Sequence, residues 1–342
     1  MKKYILLLFF SLSLQQILKA QENKQDSTKW ATPNVKYMPM GRGLDINYTR
    51  IFTSIIDSKA EVDRLRDNNA HLNALENIEF DLKFPIILKD RTQILGSLEY
   101  TFDFYRFDPE EVADYELYSR LNKRPLRSRK AKFYLMHSFD SKHYLNVRIA
   151  GALNGDVGES EQSLYEFTKF TVAVMYGWQK SPTNAYGVGL YTGYTLGRPT
   201  IYPVLEWNKS WNERWGFESK LPAKFMLRYT PNKDMYVYGG YEVDGISYRL
   251  VSESEDSELL REYEIRRSDL MLTVNLEKRV YDFIWVGIKG GMNFNVRLDA
   301  SDGNKIYENK DLITSQIRPA PYVNLSLFVI PTDGLKKLVG LD

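Results

Sequence analysis

Residues 93–106 read QILGSLEYTFDFYR, and apolar and polar side chains alternate along them. Leu98 and Phe102 fall on one face, and Glu99 and Asp103 fall on the other, because successive strand side chains point to opposite faces. The run is about fourteen residues long, against roughly nine to eleven that a tilted strand needs to cross a bilayer. Strands of soluble proteins average about five or six. This segment therefore predicts one strand of a transmembrane β-barrel, with an apolar outer wall and a polar inner wall.

The same alternation recurs along most of the chain. In 283–298, for example, it places Ile288 toward lipid and Lys289 toward the lumen. Segments 57–75 and 107–127 instead have apolar residues at helical spacing. Segment 57–75 fits either a helical loop insertion or a mobile loop, and 107–127 predicts a long loop with helical content. The candidate strands are 44–56, 75–88, 93–106, 130–139, 143–153, 167–179, 185–196, 201–211, 215–230, 235–250, 265–280, 283–298 and 320–330.

The lengths of the connections constrain the strand count. Bacterial barrels have short periplasmic turns and longer outer loops. Five candidate strands lie between the long connections that end near residue 165 and begin near residue 252, and this odd number would put the long connections on both sides of the membrane. The weakest candidate is 201–211, because Pro203 cannot donate a hydrogen bond to a neighbouring strand. Dropping or merging it predicts an all-β, antiparallel, up-and-down transmembrane barrel of about 12 strands, with 14 strands as the alternative.

The N-terminus explains how such a chain reaches a membrane. Lys2 and Lys3 precede an apolar stretch at 4–14, and Ala20 is a small residue before a cleavage site. This pattern is typical of a secretory signal peptide. We expect a signal peptide at 1–21, cut after Ala20 or Gln21, a periplasmic lead-in at 22–43, the barrel at 44–331 and a C-terminal tail at 332–342.

These features place the mature protein in the outer membrane of a Gram-negative bacterium. Its expected partners are outer-membrane lipid and, during biogenesis, the barrel-assembly machinery. The 46 basic and 44 acidic residues leave a net charge of +2, which is too small for nucleic-acid binding by bulk electrostatics. The 24 Tyr, 17 Phe and 6 Trp suit the aromatic girdles of a membrane barrel. A secreted, soluble β-sandwich binding protein is the alternative that this composition leaves open.

Three short motifs carry a resemblance to a known family. The stretch Gly187-Val188-Gly189-Leu190-Tyr191, the pair Leu221-Pro222 and the run Gly239-Gly240-Tyr241 resemble an outer-membrane β-barrel family of the Bacteroidota, the domain of unknown function 6268. The signal peptide ending in Ala20-Gln21 is similar to those of that phylum. The resemblance implies an outer-membrane barrel and supplies no activity, ligand or catalytic residue.

Catalytic chemistry has one candidate location. A lipid-modifying hydrolase would need a His–Ser pair with an orienting group, and His137 and His143 flank a turn that contains Ser141, with Ser138 nearby. An interfacial histidine beside a turn is usually inert. Zero cysteines exclude a thiolate metal site and a cysteine nucleophile. We therefore predict no catalytic, cofactor-binding or metal-binding residues, with the outer-membrane hydrolase as an alternative.

The predicted lumen wall carries charges of both signs. They either pair to fill a narrow barrel or line a pore for small solutes. The sequence thus predicts an integral outer-membrane barrel without enzymatic activity, acting as a narrow small-solute pore or as a structural or assembly component. The candidate lumen-facing charges are Glu99, Asp103, Lys132, Arg148, Glu218, Lys220, Lys224, Arg228, Asp269, Glu277, Arg279, Lys289 and Arg297.

Overall fold

A computed structural model of the chain describes residues 30–63, 65–155, 167–193, 199–251, 262–302 and 311–331. The predicted signal peptide, the first part of the lead-in and the C-terminal tail lie outside these residues. In the described ranges, no helix has the length and apolar character needed to cross a membrane.

Sixteen β-strands and two short helices follow one another along the described ranges. The helices are α1 (Pro109–Val112) and α2 (Glu116–Lys123). The strands are β1 (Leu44–Ile51), β2 (Ser54–Ala60), β3 (Asn68–Leu88), β4 (Thr92–Phe107), β5 (Leu126–Ser138), β6 (His143–Asn154), β7 (Thr168–Ser181), β8 (Asn184–Gly193), β9 (Thr200–Ser210), β10 (Trp215–Leu221), β11 (Lys224–Asn232), β12 (Met235–Val251), β13 (Glu262–Tyr281), β14 (Ile284–Asp302), β15 (Asp311–Ile317) and β16 (Ala320–Val329).

The strands close into an antiparallel barrel. Both β1 and β2 pair with β3, so they form one interrupted wall strand, and β15 and β16 do the same beside β14. The barrel closes where β1 pairs with β16 and β2 pairs with β15. The wall therefore has fourteen strands, close to the predicted twelve and equal to the stated alternative.

The difference in strand count has a specific origin. The segment 215–230 was predicted as one strand, but β10 and β11 form a hairpin joined by Pro222 and Ala223. The doubted segment is a complete strand, β9, with Pro203 in its interior. An even count is thus restored by splitting one candidate rather than by removing another. The prediction of a helical or mobile loop at 57–75 is wrong, since β2 and β3 occupy most of this segment, whereas 107–127 does contain α1 and α2.

Connections at the two ends of the barrel differ in length. At one end, here called the turn end, most connections have two to four residues; an example is 282–283 between β13 and β14. The opposite end, called the loop end, carries longer connections, including α1 and α2. In α1, the side chain of Asp108 accepts a hydrogen bond from the main-chain N–H of Glu110 at 3.0 Å, so Asp108 caps this short helix.

The alternation predicted from the sequence matches the exposure of the side chains in β4, and in β14 as far as Asn295. Leu98 and Ile288 are each 56% exposed on the outer wall, whereas Ser97 and Asp103 are each 1% exposed. Lys289, next to Ile288, turns inward and binds Glu242 at 3.0 Å. Apolar side chains that are this exposed all around a barrel need a lipid environment.

Candidate functional site: a charged cavity closed at both ends

Residues 30–43, called the strap here, cross the turn end of the barrel. They belong to the predicted lead-in, but they pack against the wall: Ala31 is fully buried, and the hydroxyl of Ser138 donates to its carbonyl oxygen at 2.7 Å. Main-chain hydrogen bonds hold the strap at three points, from Ala31 N to Asp140 O at 3.0 Å, from Lys36 N to Pro182 O at 2.7 Å and from Gly43 N to Val329 O at 2.8 Å. Because β5 and β7 lie far around the barrel from β16, the strap spans the mouth.

An apolar cluster fills the loop end. We call it the outer core; its buried side chains come from ten strands and the two helices, namely β1–β5, β12–β16, α1 and α2. The ring of Tyr118 on α2 stacks on Phe107 with centroids 5.0 Å apart, and its hydroxyl bonds to Ser58 at 2.6 Å. Burial raises the pKa of Tyr118. The outer core therefore closes the barrel toward the loops with packed side chains.

A polar layer lies between the outer core and the lumen. Arg267 binds Asp103 at 3.3 Å and Asp269 at 3.0 Å, and the hydroxyl of Tyr248 donates to Asp103 at 2.7 Å. All of these groups are almost fully buried. Charges at such a position are tolerated because each has a partner of opposite sign.

Between the strap and this polar layer lies a cavity of about 730 Å³. Its wall is charged, with eight basic and eight acidic side chains. These are Arg42, Asp45, Glu79, Lys83, Glu99, Asp103, Lys130, Arg148, Glu218, Lys220, Lys224, Glu242, Asp244, Arg267, Glu277 and Lys289.

Most of these charges form ion pairs. The carboxylate of Glu242 forms ion pairs with Lys224 at 2.9 Å and with Lys289 at 3.0 Å. The carboxylate of Glu99 forms ion pairs with Lys130 at 2.6 Å and with Lys132. Acidic and basic side chains are thus mixed around the wall, and the cavity has no large region of one charge sign.

The structure brings together most of the predicted lumen charges. Eight of the thirteen line the cavity: Glu99, Asp103, Arg148, Glu218, Lys220, Lys224, Glu277 and Lys289. Three more do not line the cavity but form ion pairs with residues that do. Lys132 binds Glu99, Arg228 binds Glu218 at 3.3 Å, and Asp269 binds Arg267. Arg279 lies at the turn-end rim, where it binds Asp234.

Arg297 does not join them. The register between β13 and β14 shifts at Val296, so Arg297 is paired with Ser268 and Leu298 with the lumen residue Arg267. Leu298 is buried in the outer core, and Arg297 on the other face binds Asp299 at 3.2 Å. A one-residue bulge reverses the faces of all residues beyond it.

Several charged residues of the lining were not predicted from the sequence. Arg42 and Asp45 come from the strap and the start of β1, and Glu242 and Asp244 come from β12. The sequence of the strap shows no regular alternation of apolar and polar residues, so burial of Arg42 could not be predicted from it. Glu242 and Asp244, by contrast, share the parity of the buried Tyr238, and this signal could have identified them.

The histidines beside the 139–142 turn are not arranged as a hydrolase site. His137 bonds through Nδ1 to the hydroxyl of Thr92 at 2.8 Å, while Ser138 bonds to the strap. His143 Nδ1 lies 2.8 Å from Asp140, and this hydrogen bond lowers the pKa of Asp140 to about 2. Within the described ranges, no group of three or more His, Asp or Glu side chains is placed to hold a metal ion.

A protein-family model matches residues 71–329 of the chain. That range holds the barrel wall from β3 to the end of β16. The chain belongs to the DUF6268 family, described as a domain of unknown function. The comparison with curated proteins found no significant match.

Solved structures similar to this DUF6268 barrel include outer-membrane proteins. A Pseudomonas aeruginosa FadL homologue is 8% identical, with a TM-score of 0.41, over 84% of this chain and 90% of that one. An outer-membrane channel from Pseudomonas putida F1 is 8% identical, with a TM-score of 0.41, over 88% and 100%. Outer membrane phospholipase A from Escherichia coli is 8% identical, with a TM-score of 0.34, over 84% and 92%. Likeness at this level concerns the fold alone.

Proposed function

We propose that this protein is an outer-membrane channel-type barrel, without enzymatic activity, that admits a small polar group to its central cavity. One observation carries the proposal: a cavity of about 730 Å³ with a charged lining is enclosed between the strap and the polar layer. Ligand-binding cavities commonly measure about 300–1,000 Å³. A purely structural barrel of this width has no need to keep that space open, because its side chains could fill it.

The lining favours a ligand without net charge. Eight acidic and eight basic side chains alternate around the cavity, so an ion of either sign meets repulsion as well as attraction. A zwitterionic or neutral polar group can instead satisfy both signs at once. This charge pattern supports selection for dipolar groups rather than for simple cations or anions.

The strap is the candidate gate at the turn end, which corresponds to the periplasmic side because its connections are short. It crosses the mouth and is held there mainly by hydrogen bonds and by the ion pairs of Arg42 with Glu277 and Asp45, whereas the outer core closes the loop end with packed apolar side chains. Release of the strap therefore disrupts fewer contacts than opening the outer core.

Thiol labelling tests this function directly, since the chain has no cysteine of its own. Ser326 lines the cavity, and a Ser326→Cys variant in nanodiscs would report access by a small, membrane-impermeant methanethiosulfonate reagent. Deletion of residues 30–41 is expected to raise the labelling rate. A Glu213→Cys variant, exposed in a turn, should label equally with and without the strap. An unchanged rate at Ser326→Cys in the folded deletion variant would contradict the proposal.

A further inference from the structure

The wall of the barrel is unusually low at one hairpin. Strand β10 has 7 residues and β11 has 9, whereas the flanking strands β9 and β12 have 11 and 17. A strand needs roughly nine to eleven residues to cross a bilayer. The connection Pro222–Ala223, which faces the loop end, therefore cannot reach the far surface of the membrane from β10.

Aromatic side chains fix the depth of this hairpin. Trp215 and Tyr229 contact each other on the outer wall at the turn end, with centroids 4.6 Å apart, and Trp211 lies beside them at 5.6 Å from Phe217. Such girdles mark the membrane interface. Six residue steps separate Trp215 from Leu221, and a strand tilted by about 40° climbs roughly 15 Å in six steps. The hydrocarbon core is roughly 25–30 Å thick, so the hairpin tip lies near the middle of the bilayer.

Above the tip, the two flanking strands have no neighbour on the side of the hairpin among the described residues. Thr200–Val204 of β9 pair with β8 only, and Asp244–Ile246 of β12 pair with β13 only. Further along, β12 leans into the barrel, where Ser247 is fully buried and its carbonyl accepts a hydrogen bond from Asn154 of β6 at 3.0 Å. Among the described residues, the wall therefore has an opening between β9 and β12, above the tip of the hairpin formed by β10 and β11.

Open sheet edges are not tolerated against hydrocarbon, because no water satisfies their N–H and C=O groups; they occur at membrane depth only where they face a water-filled cavity or protein. Here the charged cavity extends to the opening. Lys220, Ala223 and Lys224 at the hairpin tip, and Val243 and Asp244 just above it, all belong to the cavity lining. The opening therefore connects the cavity with the side of the barrel at mid-membrane.

The two sides of the opening differ in chemistry. On the outer wall, Ile201 of β9 is 76% exposed and Leu227 of β11 is 38% exposed, so hydrocarbon chains can pack there. On the inner side, Lys220 and Lys224 are half exposed, with carboxylates of Glu206 and Glu242 at 3.5 and 2.9 Å. Ammonium and carboxylate groups side by side match a head group that carries both signs.

We propose that this opening is a lateral portal through which a lipid-like amphiphile from the membrane places a zwitterionic head group in the cavity while its apolar chain stays in the bilayer. The proposal rests on the proposed function, because it names the ligand class of the same cavity and its route of entry. It also accounts for the outer core: the loop end can remain closed if the ligand arrives from the side.

Fluorescence quenching by lipids tests the portal. A fluorophore on Asp244→Cys would report the opening, one on Leu227→Cys the lipid-facing wall, and one on Asn47→Cys the cavity wall across the barrel. In nanodiscs that contain phospholipid with a nitroxide at mid-chain, we expect quenching at Asp244→Cys to approach that at Leu227→Cys and to exceed that at Asn47→Cys several-fold. Quenching at Asp244→Cys as weak as at Asn47→Cys would overturn the portal.

A lengthened hairpin is the matched control. Insertion of four residues between Pro222 and Ala223 extends β10 and β11 into the opening and should lower quenching at Asp244→Cys without changing it at Leu227→Cys. Lysophosphatidylethanolamine should displace the quencher, whereas its soluble head group, glycerophosphoethanolamine, should not; equal displacement by both would overturn lateral entry. Because labelling of Ser326→Cys depends on the strap and not on the hairpin, failure of the portal and failure of the proposed function give different results.

Discussion

Arg42 of the strap binds Glu277 of β13, 235 residues further along the chain. The same guanidinium binds Asp45 at 2.7 Å and stacks over the ring of Phe328 at 3.8 Å. Glu277 is almost fully buried, so its carboxylate depends on this partner. The strap is therefore fixed at its C-terminal end by one side chain that makes three contacts with the wall of the cavity.

Replacement of Arg42 by alanine should loosen the strap. Hydrogen bonds to charged groups contribute about 1.5–3 kcal/mol, and about 1.4 kcal/mol corresponds to a factor of ten in an equilibrium constant. We expect Arg42→Ala to raise the labelling rate of Ser326→Cys roughly tenfold or more. Lys36→Ala is the control, because the ammonium of Lys36 contacts only the ring of its neighbour Tyr37 among the contacts described. Equal rates in both variants would show that the strap does not depend on Arg42.

Ile288 and Lys289 test which wall faces lipid. Ile288 lies on the outer wall and Lys289 points into the cavity. An arginine on the lipid face near the midplane costs about 2–4 kcal/mol, so Ile288→Arg should lower the free energy of unfolding from lipid vesicles by about that amount. Lys289→Arg keeps its charge opposite Glu242 and should change stability little. Equal tolerance of both substitutions would be incompatible with β14 as a membrane strand.

The two faces of each strand could be predicted because their cause is local. Residues two apart share a face whatever the rest of the chain does, so Leu98 and Asp103 were assigned correctly from the sequence alone. The strand count depended on a turn. The connection Pro222–Ala223 lacks the Gly, Asn or Asp that usually marks a two-residue hairpin, so 215–230 read as one long strand.

The cavity could be predicted only in part, because several of its determinants are not local. Arg42 enters the lining through a segment with no period, and its role follows from contact with Glu277 on a distant strand. Arg297 was misplaced because a bulge at Val296 is invisible in the pattern of 283–298. The outer core likewise forms from ten strands and two helices, none of which reveals by itself that it packs against the others.

Gly177 makes room for an aromatic ring inside the barrel. A Cβ atom on Gly177 would overlap the ring of Tyr144, which is fully buried. Overpacking of this kind typically costs about 1–3 kcal/mol, and we expect Gly177→Ala to lower the unfolding free energy by that amount in urea titrations. A Cβ on Gly239 meets nothing within 4 Å, so Gly239→Ala should have no comparable effect. Tyr144→Ala should remove most of the penalty of Gly177→Ala; an additive double variant would rule out the steric explanation.

Arg267 should determine whether the polar layer beneath the outer core is stable. It neutralises Asp103 and Asp269 at 3.3 and 3.0 Å in an almost fully buried site. Removal of one partner from a buried ion pair costs about 3–5 kcal/mol, so Arg267→Met should lower the unfolding free energy in lipid vesicles by about that amount. The added substitution Asp103→Asn removes one of the uncompensated charges and should restore part of the loss. If the double variant is less stable than Arg267→Met alone, the cost arises from lost packing of the arginine side chain and not from charge left unpaired in the layer.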